Sequence, residues 1–297
     1  MELRQLRYFA KVAELKSFSK ASKALFVSQS ALSQQVRQLE AELGTSLLVR
    51  DSHHVVLSDT GRAFLPSALR TLAEAEIGMD NIRNVAGLRT GDLTIGSTFT
   101  FSLLLERVVR EFAKKYPGVK IHVLCRKMEE LMEMLDCGEI DIALSYRPQH
   151  EYPNIDSTIL FDNRLAVVVS NTHPLAGKGS VSLEELQHFP LALPMRGMQA
   201  RNAFDRLVEG RRLDLNIQLE MDEVTVLLNL VASTHMVTLV SQATAHHPGL
   251  TTLSLHDAEV PMEGCYHVRK ETHMKHAATE FIRLLEENKA LGIIEMM

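Results

Sequence analysis

Small polar side chains cluster in one ten-residue stretch, and their chemistry suits the edges of DNA bases. The stretch contains Ser28, Gln29, Ser30, Ser33, Gln34 and Arg37. A glutamine amide can form two hydrogen bonds with adenine, and a serine hydroxyl is permissive. Arg37 and, further along the chain, Arg50 and His53 are candidates for contact with the phosphate backbone, which sets register rather than sequence. We therefore predict a DNA-contacting surface, the simpler alternative being a solvated helix face.

These side chains need a helix to present them, and the surrounding sequence predicts one. Apolar residues at helical spacing predict helices at about 3–15, 20–25 and 29–43. Ser19 and Ser28 are the expected N-caps of the second and third helices, and Gly44 is the expected end of the third. Two short helices joined by a tight turn form a helix-turn-helix, whose second helix enters the major groove of DNA.

A hairpin and a long helix are predicted to follow. Within residues 47–61, Val55 and Leu57 alternate with polar neighbours, which predicts the wing of a winged helix. From Asp59 a helical pattern runs to about Leu88, a rod of roughly 40 Å. Its stripe of leucine and isoleucine predicts pairing with a second copy of the chain, because an unpaired stripe would be exposed. The alternative is a simple spacer.

Charge is distributed unevenly along the 297 residues, whose net charge is −5. Residues 1–90 carry 12 Lys and Arg against 9 Asp and Glu, a net +3, whereas residues 91–297 carry 20 against 28, a net −8. Attraction to phosphates is therefore expected at the N-terminal part alone. No apolar run approaches the roughly 20 residues of a membrane helix, and the first residues do not resemble a signal peptide. We expect a cytoplasmic protein with no membrane partner.

Beyond residue 91, strands and helices alternate, which predicts a mostly parallel sheet with right-handed crossovers. The expected strands are 92–97, 119–125, 139–146, 165–170, 190–194, 216–221, 237–241 and 251–255. The expected helices are 103–116, 128–138, 182–187, 199–210, 223–232 and 275–288.

Polar residues at the ends of these strands are candidates for binding a ligand, because open α/β folds bind ligands there. They are Ser97, Thr98 and Thr100 after the first strand, Arg147 after the third, and Met195 with Arg196 before the helix at 199–210. Two helix starts, with these arginines and Arg201, favour a small carboxylate or a similar anion. The alternatives are that the hydroxyls cap helices and that the arginines pair with nearby acids.

Taken together, these segments resemble the LysR-type transcriptional regulators over almost the whole chain. The family pattern is matched in the first two helices by Ser17-Phe18, Ala21 and Ala24-Leu25, in the third by Val27 to Ser33 and Leu39-Glu40 through Leu43-Gly44, in the wing by Leu47, Arg50, Val55 and Leu57, and at the following helix by Gly61. Further matches are Gly138 to Ala143 and His173 to Ala176. The segments 193–205 and 219–224 look most like the branch that includes the cyanate-operon regulator.

The resemblance implies an α/β protein with an all-α winged helix-turn-helix at its N-terminus. It implies a DNA-binding domain at 1–58, a linker and dimerisation helix with a hinge at 59–90, and an effector domain at 91–297. That domain would resemble a periplasmic binding protein, with lobe I at about 91–161 and 266–297 and lobe II at about 162–265. Family members are commonly tetramers, so a homodimer or homotetramer is expected.

The leading hypothesis is a sequence-specific transcription regulator that binds double-stranded promoter DNA and responds to a small, anionic effector between the lobes. RNA polymerase is a further candidate partner. An alternative is an oxidant sensor that uses Cys125, Cys137 or the methionines, and a third is an α/β protein with an incidental helix-turn-helix. We find no catalytic triad, phosphate loop or zinc motif, so the sequence predicts no cofactor, no metal and no enzymatic activity.

Overall fold

The architecture comes from a computed structural model, which describes residues 1–50, 55–85, 90–245, 247–256, 260–270 and 274–290. The helices are α1 (Leu3–Leu15), α2 (Phe18–Ala24), α3 (Gln29–Leu43), α4 (Asp59–Val85), α5 (Ser102–Lys115), α6 (Met128–Cys137), α7 (Leu183–Leu186), α8 (Gln199–Val208), α9 (Val224–Ala232) and α10 (His276–Ala290). The strands are β1 (Leu48–Arg50), β2 (Val55–Leu57), β3 (Gly91–Ser97), β4 (Val119–Cys125), β5 (Ile142–Tyr146), β6 (Ile155–Phe161), β7 (Leu165–Ser170), β8 (Ser180–Val181), β9 (Leu191–Pro194), β10 (Ile217–Met221), β11 (Thr238–Ser241), β12 (Leu250–Leu255) and β13 (Gly264–Arg269).

Helices α1 to α3 begin and end where side chains satisfy their free backbone groups. The Ser28 hydroxyl accepts a hydrogen bond from the Ala31 amide at 3.2 Å, which confirms Ser28 as the cap of α3. Gly44 ends α3 in the left-handed conformation, with φ of 68°. Ser19 is not the cap of α2, contrary to prediction. The helix starts earlier because Ser17 has extended backbone and accepts from Lys20 N.

The wing is an antiparallel pair in which Leu48 of β1 lies opposite Leu57 of β2. One carboxylate ties it to α3, because Glu40 Oε1 accepts hydrogen bonds from the amides of Leu47 at 2.8 Å and Leu48 at 3.1 Å. The tip of the wing, residues 51–54, lies outside the described residues. The wing is therefore anchored to the third helix through backbone groups.

Helix α4 leaves the wing as the predicted long rod, but its apolar stripe is only partly uncovered. Leu65 and Leu72 pack against the core of the N-terminal helices, and Ile77 is buried. Among the large apolar side chains of α4 that the structure describes, Met79 and Ile82 are exposed. The chain's own core thus covers part of the predicted stripe, and pairing through the rest of α4 stays a prediction. Residues 86–89, which include Gly87 and Arg89 of the predicted hinge, lie outside the described residues.

Two sheet systems follow, and strands distant in sequence complete the first. Its order is β4-β3-β5-β13-β6, with β3 parallel to β4 and β5. Strand β13 is antiparallel to both its neighbours, and neither β13 nor β6 was predicted from the sequence. In the second system the order is β11-β7-β12-β8, with β7 antiparallel to β11 and β12, beside a parallel β9–β10 pair. The sheets are therefore mixed rather than mostly parallel.

The apolar core is continuous across both sheet systems and includes Phe101, Phe161 and Phe204. A separate core joins α1, α2 and α3 to the wing and the start of α4. None of the described helices is long and apolar enough to cross a membrane. We use lobe I for the part around the first sheet system and lobe II for the part around the second, and the boundaries given above stay a prediction.

Candidate DNA-binding and effector sites

The outer face of α3 carries the predicted base-reading residues. Leu32, Val36 and Leu39 are fully buried and fix which side of the helix faces the core. The exposed residues opposite include Ser28, Gln29, Ser30, Gln34 and Arg37, and Ser33 is half-buried between the two faces.

Several of these side chains already have internal partners. The hydroxyls of Ser28 and Ser30 lie 3.1 Å apart, and Arg37 Nε donates to the Ser33 carbonyl at 3.3 Å. Gln29 and Gln34 stand on the exposed face as candidate base readers. Arg50 lies in β1 without a described side chain, and His53 lies outside the described residues.

We predict that Gln29→Ala reduces discrimination between specific and unrelated DNA, because a bidentate amide contributes about 1–3 kcal/mol to the choice of base. The matched control is Gln38→Ala, which removes an exposed amide nearer the end of the same helix. Fluorescence anisotropy with promoter fragments and shuffled DNA measures both affinities. Equal losses of discrimination in the two variants would refute a base-reading role for Gln29.

A cavity of about 520 Å³ lies between the lobes. From lobe I it is lined by Thr98, Thr100, Lys127 and Tyr146, and from lobe II by Met198, Gln199, Val224 and Ser241. Such a volume suits a small organic molecule. The strand-end rule therefore located Thr98 and Thr100 at this cavity.

Four helix starts border this cavity. A short 3-10 turn at 99–101 leads into α5, and the other three helices are α6, α8 and α9. The N-cap residues Thr98, Lys127 and Met198 provide no side-chain cap, whereas Glu223 caps α9 by accepting from Thr225 N. Uncapped starts present backbone N–H groups and a positive dipole end. Three of the four starts therefore favour negative charge in the cavity.

Hydroxyl groups connect the two lobes across the cavity floor. Thr244 donates to Thr100 with 3.3 Å between their oxygens, and Thr244 lies 2.7 Å from the Ser241 hydroxyl. The Tyr146 hydroxyl accepts from Asn163 Nδ2 at 3.1 Å, and its burial raises the pKa of the phenol. By contrast, the Thr98 hydroxyl is buried and has no hydrogen-bond partner among the described residues. An unpaired buried hydroxyl is a position where a ligand atom would be stabilised.

Charged groups at the rim of the cavity are of both signs. Arg126 Nε pairs with Glu130 at 3.0 Å. Lys127 forms no ion pair among the described residues, and its Nζ would lie 3.7 Å from a Cβ built on Gly197 at the start of the opposite lobe's α8. Asp222 and Glu223 stand on the lobe II side. Lys127 is thus the cation best able to meet a ligand.

The predicted arginines do not reach this cavity. Arg147 is exposed and pairs with Glu263 at 2.9 Å, and it lines a second cavity of about 620 Å³ on the far side of Tyr146 and Gln199. Arg201 is buried, where it donates to the Pro194 carbonyl and pairs with Asp205 at 2.6 Å and with Glu220. Both therefore satisfy acids of the protein itself, which is the alternative that sequence reasoning left open.

The remaining predicted ligand residues also lie apart from the cavity. Met195 and Arg196 are exposed before α8 and do not line it. Ser97 is buried, and its hydroxyl donates to the Thr98 carbonyl at 3.0 Å. Residues 195 and 196 belong to a turn that the Met198 amide closes on the Met195 carbonyl at 3.1 Å, so proximity in sequence to a helix start was not sufficient to place them at the cavity.

Sequence reasoning missed Lys127 and Gln199. The Gln199 side chain accepts from Tyr146 N at 3.1 Å and donates to Tyr146 O at 3.0 Å. Gln199 of lobe II is therefore hydrogen-bonded to the backbone of lobe I. A signal for Lys127 was present, because Cys125-Arg126-Lys127 lies between a strand and a helix start as Ser97-Thr98 does. No local signal pointed to Gln199, since its partner is a backbone 53 residues away.

A winged helix-turn-helix carried on a long helix and joined to a two-lobed α/β body with a central cavity defines a class of ligand-responsive DNA-binding regulators. Residues 3–62 match the model described as "Bacterial regulatory helix-turn-helix protein, lysR family", and residues 86–290 match "LysR substrate binding domain". The chain belongs to the LysR family and is a DNA-binding transcription regulator of that type.

Relatives and solved structures agree with this assignment. The chain is 31% identical over 294 residues to the Hca operon transcriptional activator HcaR of Escherichia coli (strain K12), covering 98% of this chain and 99% of that one. Full-length CbnR in complex with its target DNA is 26% identical, with a TM-score of 0.64 over 97% of this chain and 99% of that one. A full-length OxyR variant from Pseudomonas aeruginosa, at 22% identity, shares the fold with a TM-score of 0.75 over 98% and 95% of the two chains.

Proposed function

We propose that this LysR-type regulator is controlled by a small anionic effector bound in the cavity between the lobes. The observation that carries the proposal is the buried Thr98 hydroxyl, which has no partner among the described residues, beside the uncapped starts of the 3-10 turn at 99–101, of α6 and of α8. The Thr98 hydroxyl and the free N–H groups would donate to a carboxylate, and Lys127 would neutralise it. Bound effector would contact both lobes and so bias their relative arrangement.

Calorimetry with a panel of small carboxylates tests this proposal. The panel includes amino acids, because Asp222 and Glu223 at the rim would suit an added ammonium group. We expect Thr98→Val and Lys127→Met each to lower the affinity for the ligand by about tenfold or more. The reason is that a hydrogen bond to a charged group contributes roughly 1.5–3 kcal/mol. Without ligand, Thr98→Val should not lower the free energy of unfolding, because the hydroxyl it removes is unpaired.

Arg196→Ala is the matched control, since it removes an exposed positive charge close in sequence to the cavity but not lining it. It should leave the affinity unchanged. If Arg196→Ala weakens binding while Thr98→Val and Lys127→Met do not, the effector binds elsewhere. If no panel member binds, the anionic character of the effector is refuted.

Oxidant sensing through the cysteines, the alternative function, has less physical support. Cys125 ends β4 and Cys137 ends α6, so the ten-residue helix between them separates the thiols by about 15 Å. A disulfide needs Cα atoms within about 7 Å. Burial also raises the pKa of both thiols, which lowers their reactivity. Loss of regulation in Cys125→Ser with Cys137→Ser would favour this alternative.

The domain division at 58 and 90, the lobe boundaries and a homodimer or homotetramer belong to the same proposal. The exposed Met79 and Ile82 on α4 support self-association through the linker helix. Similarity to the cyanate-operon branch also remains a proposal, resting on residues 193–205 and 219–224. The regulator is proposed to act without catalysis, in keeping with relatives described as transcriptional regulators.

A further inference from the structure

The linker helix α4 is fastened to lobe I of its own chain by polar contacts. Arg70 Nη1 donates to Asp136 Oδ2 at 3.2 Å, and Arg269 Nη2 lies 3.3 Å from Glu74 Oε1. Asn154 Nδ2 holds the other Asp136 oxygen at 2.9 Å. We name the four charged residues Arg70, Glu74, Asp136 and Arg269 the linker latch. It joins one face of α4 to the end of α6 and to β13.

A close backbone approach makes this contact specific in shape. Gly138 ends α6 with φ of 76°, and a Cβ built there would lie 2.6 Å from the Ala73 Cβ on α4. The same Cβ would lie 3.4 Å from Arg269 Cζ. The absence of a side chain at residue 138 therefore lets the end of α6 approach α4 closely at Ala73, between Arg70 and Glu74 of the latch.

The latch is suited to opening as well as closing. Asp136 is 29% exposed and Arg70 is 39% exposed, and pairs with this much solvent contact are individually weak. Next to the latch, burial raises the pKa of Glu139, and the negative charge of Glu14 on α1 raises it further. Glu14 and Glu139 therefore repel when both are ionised. Each ion pair of the latch is therefore a weak contact that a modest change can break.

Helix α6 connects the latch directly to the effector cavity. Lys127, Met128 and Glu130 line the cavity at its start, and Asp136 belongs to the latch at its end. The ten residues of α6 span about 15 Å. Its inner face is anchored by fully buried Leu131, Met132 and Leu135, so the helix should move as one rigid element.

We propose that α6 is the coupling element of this regulator: occupation of the cavity shifts α6 against α4 and changes the state of the linker latch. The state of the latch then sets the angle between the DNA-binding domain and lobe I. The role of the latch stands on its own contacts, whereas the link to the cavity rests on the proposed function. Because α4 begins at the wing, a change in the angle between α4 and lobe I changes the distance between the DNA-binding domains of an oligomer.

The first experiment tests the latch without any ligand. DNase I footprints of the full-length protein are recorded on the DNA upstream of its own gene. Arg70→Asp should shift one footprint boundary by about 10 base pairs, which is one helical turn. The reason is that the DNA-binding domains must contact the same face of the DNA at the new position. Adding Asp136→Arg should restore the wild-type footprint. Glu287→Ala, which breaks an exposed ion pair with Arg283 on α10, is the control and should change nothing.

Outcomes of this first experiment are decisive in both directions. An unchanged footprint in Arg70→Asp, with the protein folded by circular dichroism, overturns the latch. So does a shifted footprint that the charge reversal fails to restore, since the effect then comes from residue 70 alone. Restoration supports the ion pair itself.

The second experiment uses an engineered disulfide between the lobes as a substitute for the unknown effector. Thr100→Cys and Thr244→Cys are combined with Cys125→Ser, because the two threonine hydroxyls lie 3.3 Å apart across the cavity. The oxidised, cross-linked protein should give a footprint that differs from the reduced one by about one helical turn. Adding Asp136→Ala should abolish this difference. A difference that persists in Asp136→Ala, or one that never arises, overturns the role of α6, whereas failure of the proposed effector would appear only in the calorimetry.

Discussion

Replacing Gly61 by alanine is expected to destabilise the winged helix by about 3 kcal/mol and to lower DNA affinity about 100-fold. Gly61 lies in the first turn of α4, and a Cβ there would lie 1.9 Å from the Leu47 carbonyl oxygen. That oxygen is backbone, and it already accepts a hydrogen bond from Ser58 N at 3.0 Å. A shift of either segment moves the wing relative to the helices that read DNA.

Whether Gly61→Ala stabilises or destabilises the protein depends on two opposing free energies. Alanine in place of glycine within a helix contributes up to about 1 kcal/mol of stability, whereas overpacking against a fixed group costs about 1–3 kcal/mol and occasionally more. Gly78→Ala in the same helix is the matched control, because no described atom outside the neighbouring backbone of α4 lies within 4 Å of its added Cβ. It should leave DNA binding unchanged and stabilise slightly. Denaturant unfolding and fluorescence anisotropy measure both effects, and equal behaviour of the two variants would contradict the close approach.

Acid is expected to destabilise lobe I through one buried histidine. His267 on β13 is fully buried, with Nε2 2.9 Å from the Ser145 hydroxyl and Nδ1 2.8 Å from the Ser157 hydroxyl. Burial lowers the pKa of His267 to about 4. A neutral ring can donate from one nitrogen and accept at the other, so the two serine hydroxyls suit the uncharged form.

The direction follows from comparing the folded and unfolded chains. An unfolded histidine has a pKa of about 6.5, so the stability from neutral His267 is complete above that pH. Below it the unfolded chain binds a proton that the folded chain does not, and the free energy of unfolding falls by up to about 1.4 kcal/mol per pH unit. The loss continues until the folded pKa of about 4 is reached, and it totals roughly 3 kcal/mol.

Urea unfolding between pH 7.5 and 4.5 measures this loss. His267→Gln should be less stable than the wild type at pH 7, but its stability should depend less steeply on pH below 6.5. His256→Gln, at an exposed histidine, is the control and should keep the wild-type slope. If His267→Gln also kept that slope, proton uptake at His267 would not be the cause.

Local patterns predicted much of the fold because they act over a few residues. The caps at Ser28 and Gly44, the wing and the strand that ends at Ser97 all follow from neighbouring side chains. Strand β13 was missed because GCYHVR contains a glycine and charged or polar residues, and its place in the sheet comes from pairing with β5 and β6. Its partners could not be inferred from local periodicity.

The candidate site likewise contains residues that local patterns place and residues that only tertiary contacts place. Thr98 and Thr100, which follow a strand and precede a helix, line the cavity, and their contact with an effector stays a prediction. Arg147 also follows a strand, but Glu263 on the segment leading into β13 attracts its guanidinium to the other side of Tyr146. Whether an arginine meets a ligand or an acid of its own protein depends on tertiary contacts that a single sequence does not contain.

The position of β13 between β5 and β6 has a consequence for how the chain folds as it is synthesised. Ser145 and His267, which share a hydrogen bond in the finished sheet, are 122 residues apart. At about 5–20 residues per second, a ribosome needs roughly 6–25 s to make that interval. During this time β5 lacks its inner neighbour, whereas the strands of lobe II emerge together and can pair first. A nascent chain paused between residues 200 and 260 should therefore expose an open sheet edge and depend most on chaperones at that stage.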